Sequence, residues 1–152
     1  MPLENPIEIE LILIEDNPFD AELTLRALQS KGLADRVKVF PDGVEALEFL
    51  FKIADHKQSE RNGYTRLPKV IFLDLKLPKM SGLEVLNQIK RDERTRLIPV
   101  VMLTSSQEES DIQESYGLGV NSYMVKPVDY DDFSQAVGDL GLYWLRRNKT
   151  VR

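Results

Sequence analysis

The chain has 152 residues, no cysteine, one histidine and a formal net charge of −5. This length fits a single domain, and 42% hydrophobic with 30% charged residues favours a globular chain over a disordered one. The absence of cysteine excludes disulfide frameworks, zinc–thiolate sites and cysteine nucleophiles. The negative charge argues against nucleic acid or an anionic membrane as a partner.

No segment has the features of a targeting or membrane-spanning sequence. The apolar run at residues 11–14 is far shorter than the ~20 residues that a membrane helix needs. The first ten residues are acidic and lack the basic region of a signal peptide. We therefore expect a cytoplasmic protein without membrane contact, made of one domain over residues 1–152.

Apolar periodicity predicts five strands that alternate with five helices. A nearly continuous aliphatic run predicts a first strand, buried on both faces, within residues 8–14. The other predicted strands are residues 36–40, 69–73, 99–103 and 121–125. The second is more polar and is therefore expected at a sheet edge. Alternation of this kind predicts a five-stranded parallel sheet with helices on both faces, an α/β doubly wound fold of the flavodoxin-like type.

Proline, glycine and capping residues mark the predicted helices. Pro18 can begin the first helix and Gly32 can end it. Ser105 and Glu108 have the spacing of a capping box before the fourth helix, and Asp129 is a candidate cap for the last. The last helix has an apolar stripe that comprises Phe133, Val137, Leu140 and Trp144. Residues 55–68 are polar and unpatterned and predict a long surface loop, where His56 is expected to be solvated.

Polar residues follow four of the predicted strands. Glu15 and Asp16 follow the first, Asp74 the third, Thr104 the fourth and Lys126 the fifth. Ligands of open parallel sheets bind at the carboxyl ends of the strands, so these side chains are expected at one rim. Each residue alone has a local alternative role, and Asp16 could simply cap the helix after it. The joint placement favours a site.

Three carboxylates at one rim repel one another unless a cation lies among them. Oxygen ligands favour a hard divalent ion, and Mg²⁺ takes one or two carboxylates while keeping several waters. A magnesium ion beside a carboxylate, a hydroxyl and a lysine is typical of phosphoryl-transfer sites. The residues themselves therefore predict a phosphoryl-transfer site.

Taken together, these motifs resemble the receiver domain of two-component response regulators, over roughly residues 7–147. They are Glu15-Asp16, Asp74 followed by Leu77-Pro78 and Gly82, Thr104, and Lys126-Pro127. The resemblance implies a receiver fold without an effector domain. It also implies a phosphoprotein rather than an enzyme, which takes part only in its own phosphorylation and dephosphorylation.

The resemblance also implies roles for the rim residues. A partner histidine kinase would phosphorylate Asp74. Asp16, Asp74 and the backbone carbonyl of Lys76 would bind Mg²⁺ directly, and Glu15 would bind it through water; Mn²⁺ could substitute.

The same resemblance assigns Thr104 and Lys126 to the phosphoryl oxygens and makes the Lys126–Pro127 bond cis. Tyr123 is at the aromatic switch position of the family. The opening Glu15-Asp16-Asn17-Pro18 and the closing Tyr143-Trp144-Leu145 are similar to single-domain regulators that serve phytochrome-type kinases in cyanobacteria.

Other functional classes fit less well. A haloacid dehalogenase-type phosphatase needs a second aspartate where Lys76 stands, and no glycine-rich phosphate loop is present. A flavodoxin-like carrier would place an FMN phosphate against a rim with three acids. A pseudo-receiver, which binds partners without being phosphorylated, is the remaining alternative, although such proteins usually lack one of the rim residues.

The output of a lone receiver must be a change in protein contacts. The fourth helix has a thin apolar stripe of Ile112 and Tyr116, so we expect it to be mobile. Leu142, Tyr143 and Leu145 extend beyond the stripe of the last helix and predict a two-fold homodimer through the fourth helix, fifth strand and last helix. The alternative is that these side chains pack within their own chain, which then stays monomeric.

Overall fold

In the computed structural model, residues 8–55 and 67–151 are described. Their centre is a parallel sheet of five strands in the order β2-β1-β3-β4-β5. The strands are β1 Leu11–Ile14, β2 Val37–Phe40, β3 Val70–Leu73, β4 Val100–Thr104 and β5 Ser122–Val125. The predicted fold class is confirmed, and β2 lies at a sheet edge as its polar composition predicts.

The described ranges contain five helices, of which the first four lie between strands and the fifth follows β5: α1 Pro18–Gln29, α2 Gly43–Ala54, α3 Gly82–Arg91, α4 Glu109–Gly117 and α5 Tyr130–Leu142. A 3₁₀ turn covers Ala34–Arg36, and a π-helical turn, Tyr143–Arg147, extends α5. Gly32 has a φ of +71° just beyond α1, which fits its predicted role at that helix end. None of the helices in the described ranges is long and apolar enough to cross a membrane.

The core has two layers because successive strand residues point to opposite faces. On one face, α2 and α3 pack on side chains such as Ile12 and Ile71. On the other, α1 and α5 pack on side chains such as Leu13 and Phe72. All four residues of β1 and of β3 are buried. The aliphatic runs therefore form strands covered on both faces, which leaves polar side chains to collect at the strand ends.

The predicted capping box of α4 is wrong. Glu108 is the N-cap residue, and its side chain makes no capping hydrogen bond. The neighbouring hydroxyl of Ser106 instead accepts a hydrogen bond from the Glu108 N–H at 3.3 Å and donates to Asp111 Oδ2 at 2.6 Å. The helix starts later than the Ser105 spacing implies, so a serine one position further along meets its first turn. Asp129 does cap α5, by accepting from the Asp132 N–H.

The predicted interface residues at the end of α5 do not form one exposed patch. Leu145 is 2% exposed and belongs to the core layer under α1 and α5, and Leu142 packs against that layer. Only Tyr143 is exposed, at 50%. Leu145 lies four residues after the buried Gly141 and eight after the buried Val137, so it continues the buried face of α5. Lys69 Nζ donates to the Leu145 carbonyl, which secures this turn.

The thin apolar stripe of α4 is thinner than predicted, because Tyr116 is 52% exposed and the buried side chain of this helix is Ser115. The predicted surface loop lies mostly outside the described residues, and so does His56.

Candidate phosphoryl-transfer and metal site

The rim at the carboxyl ends of the strands brings the predicted acids together. Glu15 and Asp16 follow β1, and Asp74 follows β3 directly. One carboxylate oxygen from each of these three residues lies within 4.8 Å of the others. Adjacent pairing of β1 and β3 produces this approach, since Ile14 and Leu73 are register partners. We call these three residues the acid cluster.

Backbone contacts fix Asp74. Its N–H donates to the Ile14 carbonyl at 3.0 Å, and the Gly82 N–H donates to the Leu75 carbonyl at 2.7 Å. A Cβ atom on Gly82 would collide with the Asp74 carbonyl and lie 2.8 Å from Leu75 Cα. Only glycine therefore permits the start of α3 to pack this closely beneath the acid cluster.

The loop after Asp74 contains a strained turn. Lys79 has a φ of +66°, unusual for a residue with a Cβ, and the Met80 N–H donates to the Pro78 carbonyl at 2.7 Å. Lys79 Nζ lies 3.2 Å from Asp42 Oδ2, which ties this loop to the cap of α2. Lys76 is exposed on the same loop, two residues after Asp74.

The Lys126 ammonium lies against the acid cluster. It donates to Glu15 Oε1 at 2.6 Å, to Asp20 Oδ2 at 3.1 Å and to Asp74 Oδ2 at 3.3 Å. The Lys126 side chain is only 8% exposed, so these contacts replace most of its hydration. Its three N–H donors match three carboxylate acceptors.

Burial and opposite charges act in conflict on these groups. Burial would lower the pKa of the Lys126 ammonium, but Glu15, Asp74 and Asp20 outweigh it and hold that pKa above its usual value. Burial, followed by the nearby Asp74 carboxylate, raises the pKa of Glu15 to about 8, while Lys126 opposes the rise. The Lys126 ammonium therefore offsets only part of the cost of burying the Glu15 carboxylate beside Asp74.

The residues present fit a divalent cation. Glu15 Oε2 is buried and receives no hydrogen bond from the described part of the chain, so it has an unused lone pair beside Asp16 and Asp74. Asp16 is exposed and does not cap α1, because Asn17 accepts the capping hydrogen bonds from Phe19 and Asp20. Oxygen donors of this kind, one of them open to solvent, suit Mg²⁺ with its retained waters.

Thr104 and Tyr123 meet at the loop after β4. The Thr104 side chain is buried, and its hydroxyl accepts a hydrogen bond from the Ser106 N–H at 3.3 Å. The Tyr123 hydroxyl donates to the Ser106 carbonyl at 3.0 Å. Burial raises the pKa of the Tyr123 phenol above its usual value. Ser106 therefore links the strand-end hydroxyl, the aromatic residue of β5 and, through Asp111, helix α4.

Two features differ from the sequence analysis. No peptide bond in the described residues is cis, so the expected cis Lys126–Pro127 bond is absent; trans is the favoured form of X–Pro bonds by ~0.5–1 kcal/mol. Asp20 is a further partner of Lys126 that was not predicted from the sequence. The sequence gives little indication of this contact. Asp20 lies in the first turn of α1, where acidic residues are common because they interact favourably with the helix dipole.

Comparison with known proteins agrees with this geometry. Residues 11–138 match the family model of the response regulator receiver domain. The chain is 40% identical, over 92% of its length and 86% of the relative, to a "Probable methanogenesis regulatory protein FilR2" of Methanothrix harundinacea (strain 6Ac). It is 35% identical to response regulator Rcp1 of Synechocystis sp. (strain ATCC 27184 / PCC 6803 / Kazusa), over 93% of the chain and 91% of Rcp1.

Two solved structures are also similar. The phosphorylated cyanobacterial phytochrome response regulator RcpA aligns with a TM-score of 0.82 and 34% identity, over 95% of this chain and 99% of RcpA. The Mn²⁺-bound form of Rcp1 aligns with a TM-score of 0.80 and 32% identity, over 97% and 100% of the two chains. The chain therefore belongs to the response regulator receiver domains of two-component signalling, and it is close to response regulator Rcp1 and to the cyanobacterial phytochrome response regulator RcpA.

Proposed function

We propose that this receiver domain accepts a phosphoryl group on Asp74 from a partner histidine kinase and signals through altered protein contacts. The observation that carries the proposal is the Lys126 ammonium, which lies 3.3 Å from Asp74 Oδ2 and also donates to Glu15 and Asp20. The Asp74 carboxylate lies next to the buried Lys126 ammonium and within the acid cluster, which can bind a metal ion. Both positive charges would reduce the repulsion between this carboxylate and an anionic phosphoryl group, so Asp74 is suited to attack the phosphorus.

The transfer needs few protein groups. An Asp74 carboxylate oxygen forms a bond to phosphorus, and the bond from phosphorus to the kinase imidazole nitrogen breaks, leaving its electrons on the imidazole. Lys126 donates a hydrogen bond to a phosphoryl oxygen, and the Thr104 hydroxyl donates to another. Bound Mg²⁺ supplies neutralisation of the charge on the phosphoryl oxygens.

Glu15, Asp16 and Asp74 are the side chains that hold this cation, with the Lys76 carbonyl as a further ligand by family resemblance. That Rcp1 has a Mn²⁺-bound form supports a divalent ion as a ligand of this chain as well. We expect Mg²⁺ in the cell and Mn²⁺ as a working substitute, because both prefer oxygen ligands.

The partner kinase is proposed to be of the phytochrome type. Support comes from the similarity to RcpA and Rcp1 over nearly the whole chain. The similarity to FilR2, whose name refers to methanogenesis, makes a kinase with another sensory input the alternative. Phosphotransfer from a panel of purified kinases separates the two.

Ser106 is proposed to transmit the conformational change from the phosphorylation site to helix α4. If Thr104 turns its hydroxyl to a phosphoryl oxygen, the hydrogen bond from the Ser106 N–H is lost and the loop that holds Tyr123 and Asp111 moves. Helix α4 follows, since few of its side chains are buried. Coupling of about 1–3 kcal/mol between the two states is typical of such devices.

A pseudo-receiver that works without phosphorylation is the second candidate. The complete set of Glu15, Asp16, Asp74, Thr104 and Lys126 disfavours it. Whether a small phosphodonor labels the protein decides between the two.

We also propose that the chain forms a homodimer through α4, β5 and α5. With Leu142 and Leu145 turned to the core, Tyr143 is the exposed apolar residue that remains from the predicted patch. Its ring lies edge-on to Trp144, with 5.1 Å between centroids, so it presents a stable apolar surface next to α5.

Asp74→Asn is expected to abolish labelling by radiolabelled acetyl phosphate in the presence of Mg²⁺. The amide keeps the shape of the side chain but is a far poorer nucleophile. The matched control is Asp35→Asn, an exposed aspartate in the turn before β2. A hydroxylamine-sensitive label on Asp74→Asn at the level of the control would contradict the assignment.

Asp16→Asn is expected to weaken Mg²⁺ binding ~10-fold or more, because it removes one charge from the cation ligands. The metal-free variant keeps or slightly gains thermal stability, since repulsion in the acid cluster falls. Calorimetric titration with Mg²⁺ measures the first effect and a melting curve in EDTA the second. Affinity equal to that of Asp35→Asn would remove Asp16 from the site.

Tyr143→Asp is expected to convert the dimer to monomer, because a carboxylate would be buried without a partner. Sedimentation velocity of this variant and the wild type, each with and without phosphodonor, measures the effect. Four identical monomer profiles would rule out the dimer and leave the phosphorylation proposal intact.

A further inference from the structure

One acidic partner of Lys126 lies outside the acid cluster. Asp20 Oδ2 is 3.1 Å from Lys126 Nζ, slightly nearer than Asp74 Oδ2 at 3.3 Å. Asp20 is on α1, and among the described residues only Glu15, Asp16 and Asp74 form a group that could share a metal ion. Asp20 therefore contacts the lysine without belonging to the cation ligands.

The backbone of Asp20 is held in place from both sides. Its N–H donates to the Asn17 side chain at 3.1 Å, and its carbonyl accepts from the Thr24 hydroxyl at 2.9 Å. Its position in the first turn of α1 also favours a negative charge there. These contacts fix the backbone from which the Asp20 carboxylate reaches Lys126.

The contact between Lys126 and Glu15 is expected to weaken when a metal ion binds. Glu15 is part of the acid cluster, so a divalent cation attracts its carboxylate and repels the ammonium that it now holds at 2.6 Å. Lys126 also borders a groove of about 330 Å³, lined on its apolar side by Phe19, Leu23 and Phe133. The groove gives the lysine side chain room to turn away from Asp74 once Glu15 loosens its hold.

We propose that Asp20 is a positioning residue that keeps the Lys126 ammonium beside Asp74 while the phosphoryl group is transferred. This inference rests on the proposed function. Asp20 touches neither the phosphoryl group nor the cation and acts only through Lys126. It holds the ammonium on the side of the groove, where no other side chain of the described residues hydrogen-bonds Lys126.

The test compares Asp20→Ala with Asp20→Asn, whose amide oxygen can still accept the lysine hydrogen bond. At saturating Mg²⁺, Asp20→Ala should lower the rate constant for phosphorylation by acetyl phosphate about tenfold, and Asp20→Asn should stay within about threefold of wild type. The Mg²⁺ affinity of both should stay within about threefold. Glu22→Gln is the matched control, because it removes an exposed carboxylate of α1 that pairs with Arg26 and not with Lys126.

Two further measurements show that the effect passes through Lys126. In a Lys126→Ala background, Asp20→Ala should cause no additional loss of rate. In the metal-loaded protein without phosphodonor, acetic anhydride should modify Lys126 several-fold faster in Asp20→Ala than in wild type, as quantified by mass spectrometry.

The outcomes separate this inference from the proposed function. A wild-type protein that takes no label would overturn the proposed function. A labelled wild type with Asp20→Ala at the same rate or faster, or with Asp20→Asn as slow as Asp20→Ala, would overturn the positioning role and leave the function standing. Unchanged Lys126 reactivity in Asp20→Ala would overturn it as well.

Discussion

The contact between the Lys126 ammonium and three carboxylates is the interaction on which the site depends. It joins residues separated by 111, 106 and 52 positions and so ties the end of β5 to β1, α1 and β3. Buried ion pairs cost desolvation and are weak sources of stability. A functional role explains this group of charges better than stability does. The carboxylates can compensate the charge of a bound cation, and the Lys126 ammonium can compensate the charge of a phosphoryl group.

The same interaction couples the site to the surface. Lys126 follows β5, which carries Tyr123, and the Lys126 N–H donates to the Thr104 carbonyl at 2.7 Å. The loop after Thr104 is held by Ser106, whose three groups contact Thr104, Tyr123 and Asp111. A change of charge at Asp74 therefore has a short physical route to α4, through side chains that are already hydrogen-bonded to one another.

Much of the site could be predicted because it follows from topology. Aliphatic runs identify the strands, and parallel strands bring their carboxyl ends to one rim, so Glu15, Asp74 and Lys126 are expected at the same rim. Their direct contact is not implied by this argument, since β4 lies between β5 and β3, and both β3 and β4 lie between β5 and β1. Asp20 could not be found in this way, since its partner is distant in sequence and its helical position has a sufficient local explanation. Leu145 is predicted on the surface because the apolar stripe follows Leu140 and Trp144, whereas the buried face of α5 includes the small residues Gly138 and Gly141.

Lys126 serves as the counter-charge of the acid cluster when no cation is bound, and this role can be measured directly. It is tested by urea unfolding of Lys126→Met with and without Mg²⁺. We predict that the variant loses about 3 kcal/mol of unfolding free energy in EDTA and that Mg²⁺ recovers a large part of it.

Lys90→Met is the control, because Lys90 is half-buried and its ammonium donates to neutral oxygens of Arg96, Ile98 and Asn121 instead of to carboxylates. Its loss of unfolding free energy should be the same in EDTA and in Mg²⁺. Two results would contradict the role of Lys126 as a counter-charge. One is a loss of unfolding free energy in Lys126→Met that is the same in EDTA and in Mg²⁺, and the other is no loss at all.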